Sequence, residues 1–301
     1  MAKMHVALIA GVSAFVLSAA AAFLGMTEAI APKAKVSRAD WMAAKEDGVA
    51  LSELSLPGTH STVALYGLAD LTGQCQSLNL TEQLNAGVRF LDIRLKQKKG
   101  ELHGVHGIVD ERQAFKTTVK ALETFLGAHP KETVLVSIKQ EADPDRPNMS
   151  FEACLKTYLN DTYWYTGSAM PETLGAVRGK AVLLSRYDNP TIGVDLSPAK
   201  WKDDATFTVG DFFIQDQYKV SDIEVKKAAI EACFASTAKY RINFLSGYLT
   251  SGFPPSYAPS VAKEINPWIE KKLPTVSKKG IVLFDFVTSG LLASFFAEVA
   301  S

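Results

Sequence analysis

The sequence predicts a single α/β domain folded as a distorted TIM-type β/α barrel. Three observations indicate this fold: seven short apolar segments that each end in polar residues, amphipathic helical segments between them, and the absence of repeats, linkers or low-complexity tracts from residues 40–301. Alternating strands and helices imply a parallel sheet. Seven or eight such units fit a barrel better than an open sheet.

The strand predictions rest on short runs rich in Val, Ile, Leu and Phe that are bounded by polar residues. They are the LSLPGTH stretch at 54–60, where Pro57-Gly58 is expected to end the strand, and residues 89–94, 134–138, 181–184, 212–214, 242–245 and 281–284. Residues 101–106 also resemble a strand, but only residues 95–100 precede them, and a parallel crossover needs about a dozen residues. We therefore expect an antiparallel hairpin arm that makes the barrel irregular.

Three helices are predicted from apolar residues that recur at helical spacing. The apolar positions are Phe115, Val119, Leu122 and Leu126 in the first, Phe151, Cys154, Leu155, Tyr158 and Leu159 in the second, and Ile223, Ile230 and Phe234 in the third. Gly127 is the expected C-cap of the first helix.

Composition places the chain among ordinary globular proteins and argues against nucleic-acid binding. It is 47% hydrophobic and 21% charged, and its 32 Lys and Arg residues balance 32 Asp and Glu residues. No net field therefore attracts a polyanion. We expect a monomer without a nucleic-acid partner.

Residues 1–31 are predicted to be a signal peptide or an N-terminal membrane anchor. Lys3 precedes a largely apolar run from Val6 to Met26 that has no polar face. The small residues Ala29-Ile30-Ala31 suit cleavage but are followed by Pro32, so whether the segment is removed stays open. The protein is expected to be secreted or anchored, with the barrel domain in residues 40–301.

The three cysteines do not form a metal-binding pattern in the sequence. Cys75, Cys154 and Cys233 are far apart, and no pair has the close spacing of a zinc site. Cys154 and Cys233 occupy apolar helical positions and are expected to be buried thiols. One disulfide among the three is possible in an oxidising compartment.

Reactive side chains follow the predicted strands. They are His60, Asp92, Arg94, Lys139, Arg186, Asp216, Tyr218 and Asp285, with His106 on the hairpin. The carboxyl ends of barrel strands converge on one face, where such residues indicate catalysis. Two imidazoles, cations and carboxylates without a close metal-ligand triplet suit an anionic substrate and proton transfer.

Phosphodiester cleavage fits this set of side chains. One histidine can deprotonate a hydroxyl while a second protonates the leaving alkoxide. Arginine and lysine can stabilise phosphate charge that would otherwise require a metal. Attack by a hydroxyl within the substrate would give a cyclic phosphate.

The motifs that carry these residues resemble bacterial phosphatidylinositol-specific phospholipase C of the X-domain, metal-independent type. They are LSLPGTHS, FLDIR, HGVHG, VSIKQE, LLSRY, QDQY, FLSG and VLFDF, in this order. The resemblance implies a barrel that cleaves phosphatidylinositol to diacylglycerol and inositol 1,2-cyclic phosphate. It also implies that no metal or other cofactor is needed.

The resemblance also implies a role for each matching residue. His60 would be the general base, oriented by Asp285, and His106 the general acid, supported by Asp92. Arg94 would bind phosphate, where calcium-dependent relatives carry an acidic residue. The residues that would contact inositol are Lys139, Arg186, Asp216 and Tyr218, with the tyrosine stacked on the sugar ring.

Ser61 departs from the family pattern. Metal-independent enzymes usually place Asp after the base histidine, and calcium-type relatives place Asn there. Ser61 is expected to lie in the substrate site, where the change could slow phosphate activation or alter the substrate.

Other functions are also considered. A metal-dependent glycerophosphodiesterase-like barrel would need acidic ligands near His60, and Ser61 and Arg94 argue against it. A phosphodiesterase acting on another lipid and a catalytically silent inositol-lipid-binding barrel stay open. For membrane contact, Tyr163-Trp164-Tyr165 and Phe253-Pro254-Pro255 could meet lipid or pack on the barrel's own helices.

Overall fold

The computed structural model describes residues 37–67, 73–250 and 258–299. Its strands are β1 (Leu56–Thr59), β2 (Phe90–Lys98), β3 (Glu101–His106), β4 (Val109–Ala114), β5 (Val134–Gln140), β6 (Trp164–Tyr165), β7 (Ala181–Arg186), β8 (Val194–Asp195), β9 (Thr206–Val209), β10 (Phe212–Gln215), β11 (Lys219–Val220), β12 (Tyr240–Phe244), β13 (Tyr248–Leu249) and β14 (Ile281–Phe284). Its α-helices are α1 (Leu80–Asn85), α2 (Phe115–Ala128), α3 (Phe151–Lys156), α4 (Ile223–Ala235), α5 (Ala258–Lys272) and α6 (Ser289–Phe296). Short 3₁₀ segments lie at Arg38–Ala44, Leu51–Glu53, Gly175–Val177 and Leu273–Thr275.

All seven predicted strands are present and build one curved sheet. Their order, with β6 and β9 at the two ends, is β6-β7-β5-β2-β1-β14-β12-β10-β9. Every neighbouring pair along this path is parallel except β10 with β9. The predicted distorted β/α barrel is confirmed.

The irregular hairpin is also confirmed. β3 pairs antiparallel with the second half of β2, from Leu95 opposite Gly104 to Lys98 opposite Glu101. The pattern missed β4, which pairs antiparallel with β3 and extends the arm. Its sequence VDERQA does not alternate clearly between apolar and polar residues, so the two-residue repeat that predicts a strand is hard to detect there.

Two of the three predicted helices match closely, and two details of the predictions were wrong. α2 and α4 cover their predicted residues, but Gly127 lies inside α2 and His129 is the C-cap. The helix continues past the glycine until Pro130, which disfavours a helical residue before it. α3 ends at Lys156, so Tyr158 and Leu159 pack against the core from a following turn.

Pro57-Gly58 does not break its strand, contrary to the prediction. Both residues lie within β1, and pairing with β2 begins only at Gly58 opposite Phe90, so the N–H that Pro57 lacks is not needed. Gly58 is required by close packing, because a Cβ there would lie 2.9 Å from the Phe90 Cβ. The strand thus runs straight into His60.

Alternate residues of the strands form two apolar layers. One layer contains Leu56, Phe90, Leu135, Leu184, Ile214, Phe244 and Leu283 and fills the interior of the curved sheet. The other contains Leu91, Val136, Leu183 and Phe284 and packs with helix residues such as Leu122. The strand period of two therefore determines which side chains point into the barrel.

The cysteines are three free, buried thiols. This confirms the expectation for Cys154 in α3 and Cys233 in α4, and the possible disulfide is not formed. The predicted leader, residues 1–31, lies outside the described residues, as does the Phe253-Pro254-Pro255 run. Among the residues that are described, no helix has the length and apolar character needed to span a bilayer.

A buried ion pair links the start of β2 to the loop before β5. The Arg89 Nε donates to Glu132 Oε2 at 2.8 Å, and both side chains are fully buried. We predict that Arg89→Ala lowers the free energy of unfolding by about 3–5 kcal/mol, because it leaves the Glu132 carboxylate buried without its cation. Urea unfolding would measure this. The control Lys278→Ala, which removes the exposed pair with Glu53, should cost under about 1 kcal/mol, and equal losses would contradict the prediction.

Candidate active site

Six of the reactive residues lie toward the carboxyl ends of the parallel strands and continue the inner layer. His60 lies two residues after Gly58, Asp92 two after Phe90, Lys139 two after Ser137, and Arg186, Asp216 and Asp285 two after Leu184, Ile214 and Leu283. Because successive strand residues alternate in direction, these side chains extend the column of core residues toward the same opening. A cavity of about 420 Å³ lies there.

The cavity is lined by seven of the predicted residues: His60, Arg94, His106, Lys139, Arg186, Asp216 and Tyr218. The remaining three, Ser61, Asp92 and Asp285, are buried beside or beneath the lining residues. All ten predicted site residues are therefore brought into one region by the fold.

His60 is held by a carboxylate from the opposite end of the chain. Its Nδ1 lies 2.7 Å from Asp285 Oδ1, and its backbone N–H donates to the carbonyl of Phe284 at 3.0 Å. Because a carboxylate only accepts, Nδ1 carries the proton, and in the neutral imidazole the acceptor lone pair is on Nε2. This is the arrangement that a general base requires.

His106 faces His60 from the end of the hairpin. The ring centroids are 5.8 Å apart and the rings are nearly perpendicular, at 84°. Burial, together with the charge of Arg94 and the proximity of His60, lowers the pKa of His106 to about 4. Without an anion in the cavity, His106 is therefore neutral at pH 7.

Asp92 is a fully buried carboxylate that joins two cations and the loop after β1. Its Oδ2 accepts from Arg94 Nε at 3.0 Å and from the Ser61 N–H at 3.1 Å, and its Oδ1 accepts from Arg186 at 3.3 Å. Burial opposes ionisation, but the two guanidinium groups outweigh it and hold the pKa of Asp92 below its usual range.

The expected contact between Asp92 and His106 is not formed. Among the described residues no hydrogen bond joins them, and the Asp92 oxygens accept from Arg94, Arg186 and Ser61. Asp92 therefore orients the arginines, and its support of His106 stays a prediction.

Glu141 is a site residue that the sequence analysis did not select. Its carboxylate lies 2.6 Å from Lys139 Nζ and 3.5 Å from Arg94, and it accepts from the Gly107 N–H at 3.3 Å. Burial opposes ionisation, but Arg94 and Lys139 lower the pKa of Glu141 to about 2. The signal was present, since Glu141 follows Lys139 by two residues and so shares its face of the strand.

Trp201 is a second residue that was missed. Its ring lies 3.4 Å from the Arg186 guanidinium carbon, and its Nε1 donates to Asp216 Oδ2 at 3.0 Å. It therefore orients two predicted substrate contacts at once. It lies in an irregular segment, where no strand periodicity predicts the direction in which a side chain points.

Tyr218 lies at the edge of the cavity and is held by an aspartate. Its hydroxyl donates to Asp203 Oδ1 at 2.8 Å. Burial and the Asp203 carboxylate raise the pKa of Tyr218 to about 12, so the phenol is neutral. Its ring lies 5.0 Å from Lys219 Nζ and 6.0 Å from the ring of Tyr248.

Ser61 adopts a left-handed backbone conformation, with φ of 42°. Its hydroxyl lies 3.3 Å from His60 Nε2. The carbonyl of His60 also accepts from the buried Gln76 side chain at 2.8 Å, and the same amide donates to the Phe284 carbonyl. The loop that carries the histidine is thus fixed from both sides.

Comparison with known proteins matches most of the chain. The family model for phosphatidylinositol-specific phospholipase C, X domain, matches residues 58–187. The 1-phosphatidylinositol phosphodiesterase of Staphylococcus aureus is 30% identical over 261 residues, covering 78% of this chain and 83% of the relative. The enzyme of the same name from Listeria monocytogenes is 30% identical over 275 residues, which cover 84% of this chain and 83% of the relative.

Solved structures agree with the sequence comparison. A double mutant of the S. aureus phosphatidylinositol-specific phospholipase C has a TM-score of 0.76 at 26% identity and covers 87% of this chain and 98% of its own. The structure of the L. monocytogenes enzyme has a TM-score of 0.71 at 25% identity, and the match covers 86% of this chain and 98% of that enzyme's chain. A structure from work on the modulation of membrane binding by the S. aureus enzyme has a TM-score of 0.75 at 26% identity. The match covers 86% of this chain and 97% of that structure's chain. The chain therefore belongs to the family of bacterial phosphatidylinositol-specific phospholipases C.

Proposed function

We propose that the protein cleaves phosphatidylinositol to diacylglycerol and inositol 1,2-cyclic phosphate. One observation carries the proposal: two imidazoles face each other at 5.8 Å in a cavity that Arg94 also lines. Family membership supports the same reaction, since both bacterial relatives are named for phosphatidylinositol cleavage.

His60 is the general base in this proposal. Its Nε2 accepts the proton of the inositol 2-hydroxyl while Asp285 stabilises the imidazolium through Nδ1. The inositol 2-oxygen then forms a bond to phosphorus, and the bond from phosphorus to the diacylglycerol oxygen breaks. The phosphate becomes a five-membered cyclic ester.

His106 is the general acid that protonates the diacylglycerol oxygen. An acid must carry a proton, and its pKa of about 4 in the free protein leaves it neutral. A bound phosphodiester places a negative charge between His106 and Arg94, which favours the imidazolium. Substrate binding therefore favours the protonated form of His106 that the reaction needs.

Arg94 stabilises the charge that develops on the phosphate oxygens. Its planar guanidinium suits two phosphate contacts, and Asp92 keeps it in place from below. Lys139, Arg186, Asp216 and Tyr218 are proposed to bind the inositol hydroxyls and ring. Ser61 replaces the usual acidic residue next to Arg94 and supports the second candidate, a related phosphodiester lipid as substrate.

Docking to a lipid surface is proposed through the hairpin tip. Ile108 is 96% exposed and lies two residues from His106, so an apolar side chain projects beside the cavity. The Tyr163-Trp164-Tyr165 run is a poorer candidate, because Trp164 is buried in β6 against the core. Contact through Ile108 fits the membrane binding studied for the S. aureus relative.

Cyclic inositol phosphate should form from phosphatidylinositol vesicles in the presence of a chelator. His60→Ala and His106→Ala should each reduce the rate by about 10²–10⁴-fold, because each removes one proton-transfer group. Phosphorus NMR would identify the product. His129→Ala, which removes a histidine paired with Asp40 away from the cavity, is the control, and equal loss in all three variants would contradict the assignment.

The pKa of His106 should rise from about 4 when Arg94 is replaced by Gln, because a cation that opposes the imidazolium is removed. Proton NMR of the ring Cε1–H against pH would measure the midpoint. Lys98→Gln, which alters a half-buried lysine of the hairpin paired with Asp110, should leave the pKa of His106 unchanged. A midpoint that does not move in Arg94→Gln would exclude the proposed coupling.

Ile108→Asp should reduce activity on vesicles by about tenfold or more, since burying an isoleucine contributes about 1.5–3 kcal/mol. Activity on a water-soluble inositol phosphodiester should not change. Val299→Asp is the control, because Val299 is 43% exposed, follows α6 and does not line the cavity. Equal loss on both substrates would show that Ile108 acts by other means than docking.

A further inference from the structure

We propose that the active site also binds a soft divalent cation of the zinc class, held by His60, Cys75 and His106, and that this cation inhibits the enzyme. The inhibition rests on the proposed function, whereas the binding does not. The three ligand atoms, two imidazole nitrogens and one sulfur, all lie within 4.8 Å of one another.

The donor set suits zinc better than a hard cation. Zinc prefers histidine nitrogen and cysteine sulfur in a tetrahedron, with bonds of about 2.0–2.3 Å, which places its ligand atoms roughly 3.3–3.8 Å apart. Contraction by at most about 1–1.5 Å therefore closes the site. Rotation of the His106 ring, which is only partly buried at the cavity wall, can supply this movement.

The surroundings of His60 already have the pattern found around metal-bound histidines. Such a histidine donates its second ring nitrogen to a carboxylate, which fixes the ring and strengthens the ligand. The Nδ1 of His60 lies 2.7 Å from Asp285 Oδ1, and Nε2 is left for the cation. The Ser61 hydroxyl, 3.3 Å from Nε2, would have to turn away.

Cys75 is fixed to the same framework as His60. Its carbonyl accepts from the Phe286 N–H at 2.7 Å, next to Asp285, and its N–H donates to the Ala64 carbonyl at 2.9 Å. Its thiol makes a weak contact with the Gly73 carbonyl, at 3.6 Å, and also interacts with the Ser61 side chain. Both interactions would have to give way when the sulfur binds a cation.

The charged groups around the site determine how much net positive charge it can accept when the cation binds. Arg94 disfavours any added positive charge, but the Cys75 thiol loses its proton to solvent when the sulfur–metal bond forms, so the site gains one positive charge and not two. The Asp285 and Glu141 carboxylates offset part of the remainder. The fourth position faces the cavity, where water completes the tetrahedron.

Inhibition follows from the same geometry. A cation on His60 Nε2 and on His106 occupies the lone pairs that proton transfer needs. It also lies in the space between the two rings, where the phosphate is proposed to bind. Cys233 and Cys154 are equally buried but belong to no such three-ligand group among the described residues, so either provides a matched control.

Cobalt(II) added to the purified full chain tests binding without reference to activity. Wild type and Cys233→Ser should show a near-ultraviolet thiolate-to-cobalt charge-transfer band that zinc abolishes by displacement. Cys75→Ser should lack the band, with folding checked by thermal melting. His106→Gln, which keeps the thiol, should weaken zinc binding by about tenfold or more. No band in wild type, or the same band in Cys75→Ser, would overturn the site.

Zinc titration of phosphatidylinositol cleavage tests inhibition, with each variant compared to its own zinc-free rate. Half-inhibition of Cys75→Ser should need at least about tenfold more zinc than wild type or Cys233→Ser. Cleavage without a cobalt band would refute the cation site alone. A cobalt band without any cleavage would refute the proposed function and leave the site standing.

Discussion

The buried carboxylate of Asp92 is the constraint on which the active site depends. Two guanidinium groups converge on it from β2 and from the end of β7, and it also accepts from the Ser61 backbone beside His60. A buried charge is costly unless it is paired and fully hydrogen-bonded. Arg94 and Arg186 compensate the charge of Asp92, and in return Asp92 prevents the two cations from separating under mutual repulsion.

The rest of the site extends this pairing through the strand period of two. Along β2, Phe90 packs in the barrel interior, Asp92 lies two residues further toward the cavity, and Arg94 lines the cavity itself. The same progression runs from Leu184 to Arg186 and from Leu283 to Asp285. Core packing and chemistry therefore occupy successive levels of one set of strands, so that side chains which position the catalytic groups are themselves held by close-packed apolar neighbours.

Much of this arrangement could be predicted from the sequence, because it depends on local periodicity. The seven strands, the antiparallel arm and nine of the ten site residues followed from apolar runs and the polar residues after them, whereas Ser61 was selected only from the family resemblance. The position of Pro57-Gly58 could not be inferred, since it depends on where pairing with β2 begins. Trp201 and Cys75 come from irregular segments whose direction is set by contacts with distant strands. Strands of two residues, such as β6 and β13, are too short for any pattern to show.

The backbone at Ser61 restricts how this site can change over evolutionary time. A φ of 42° is strained for most side chains, is impractical for β-branched ones, and is best tolerated by glycine, asparagine and aspartate. Only a narrow choice of amino acids is therefore open beside the general base. A β-branched or bulky residue at position 61 would therefore strain the loop that carries His60, whatever its effect on the substrate.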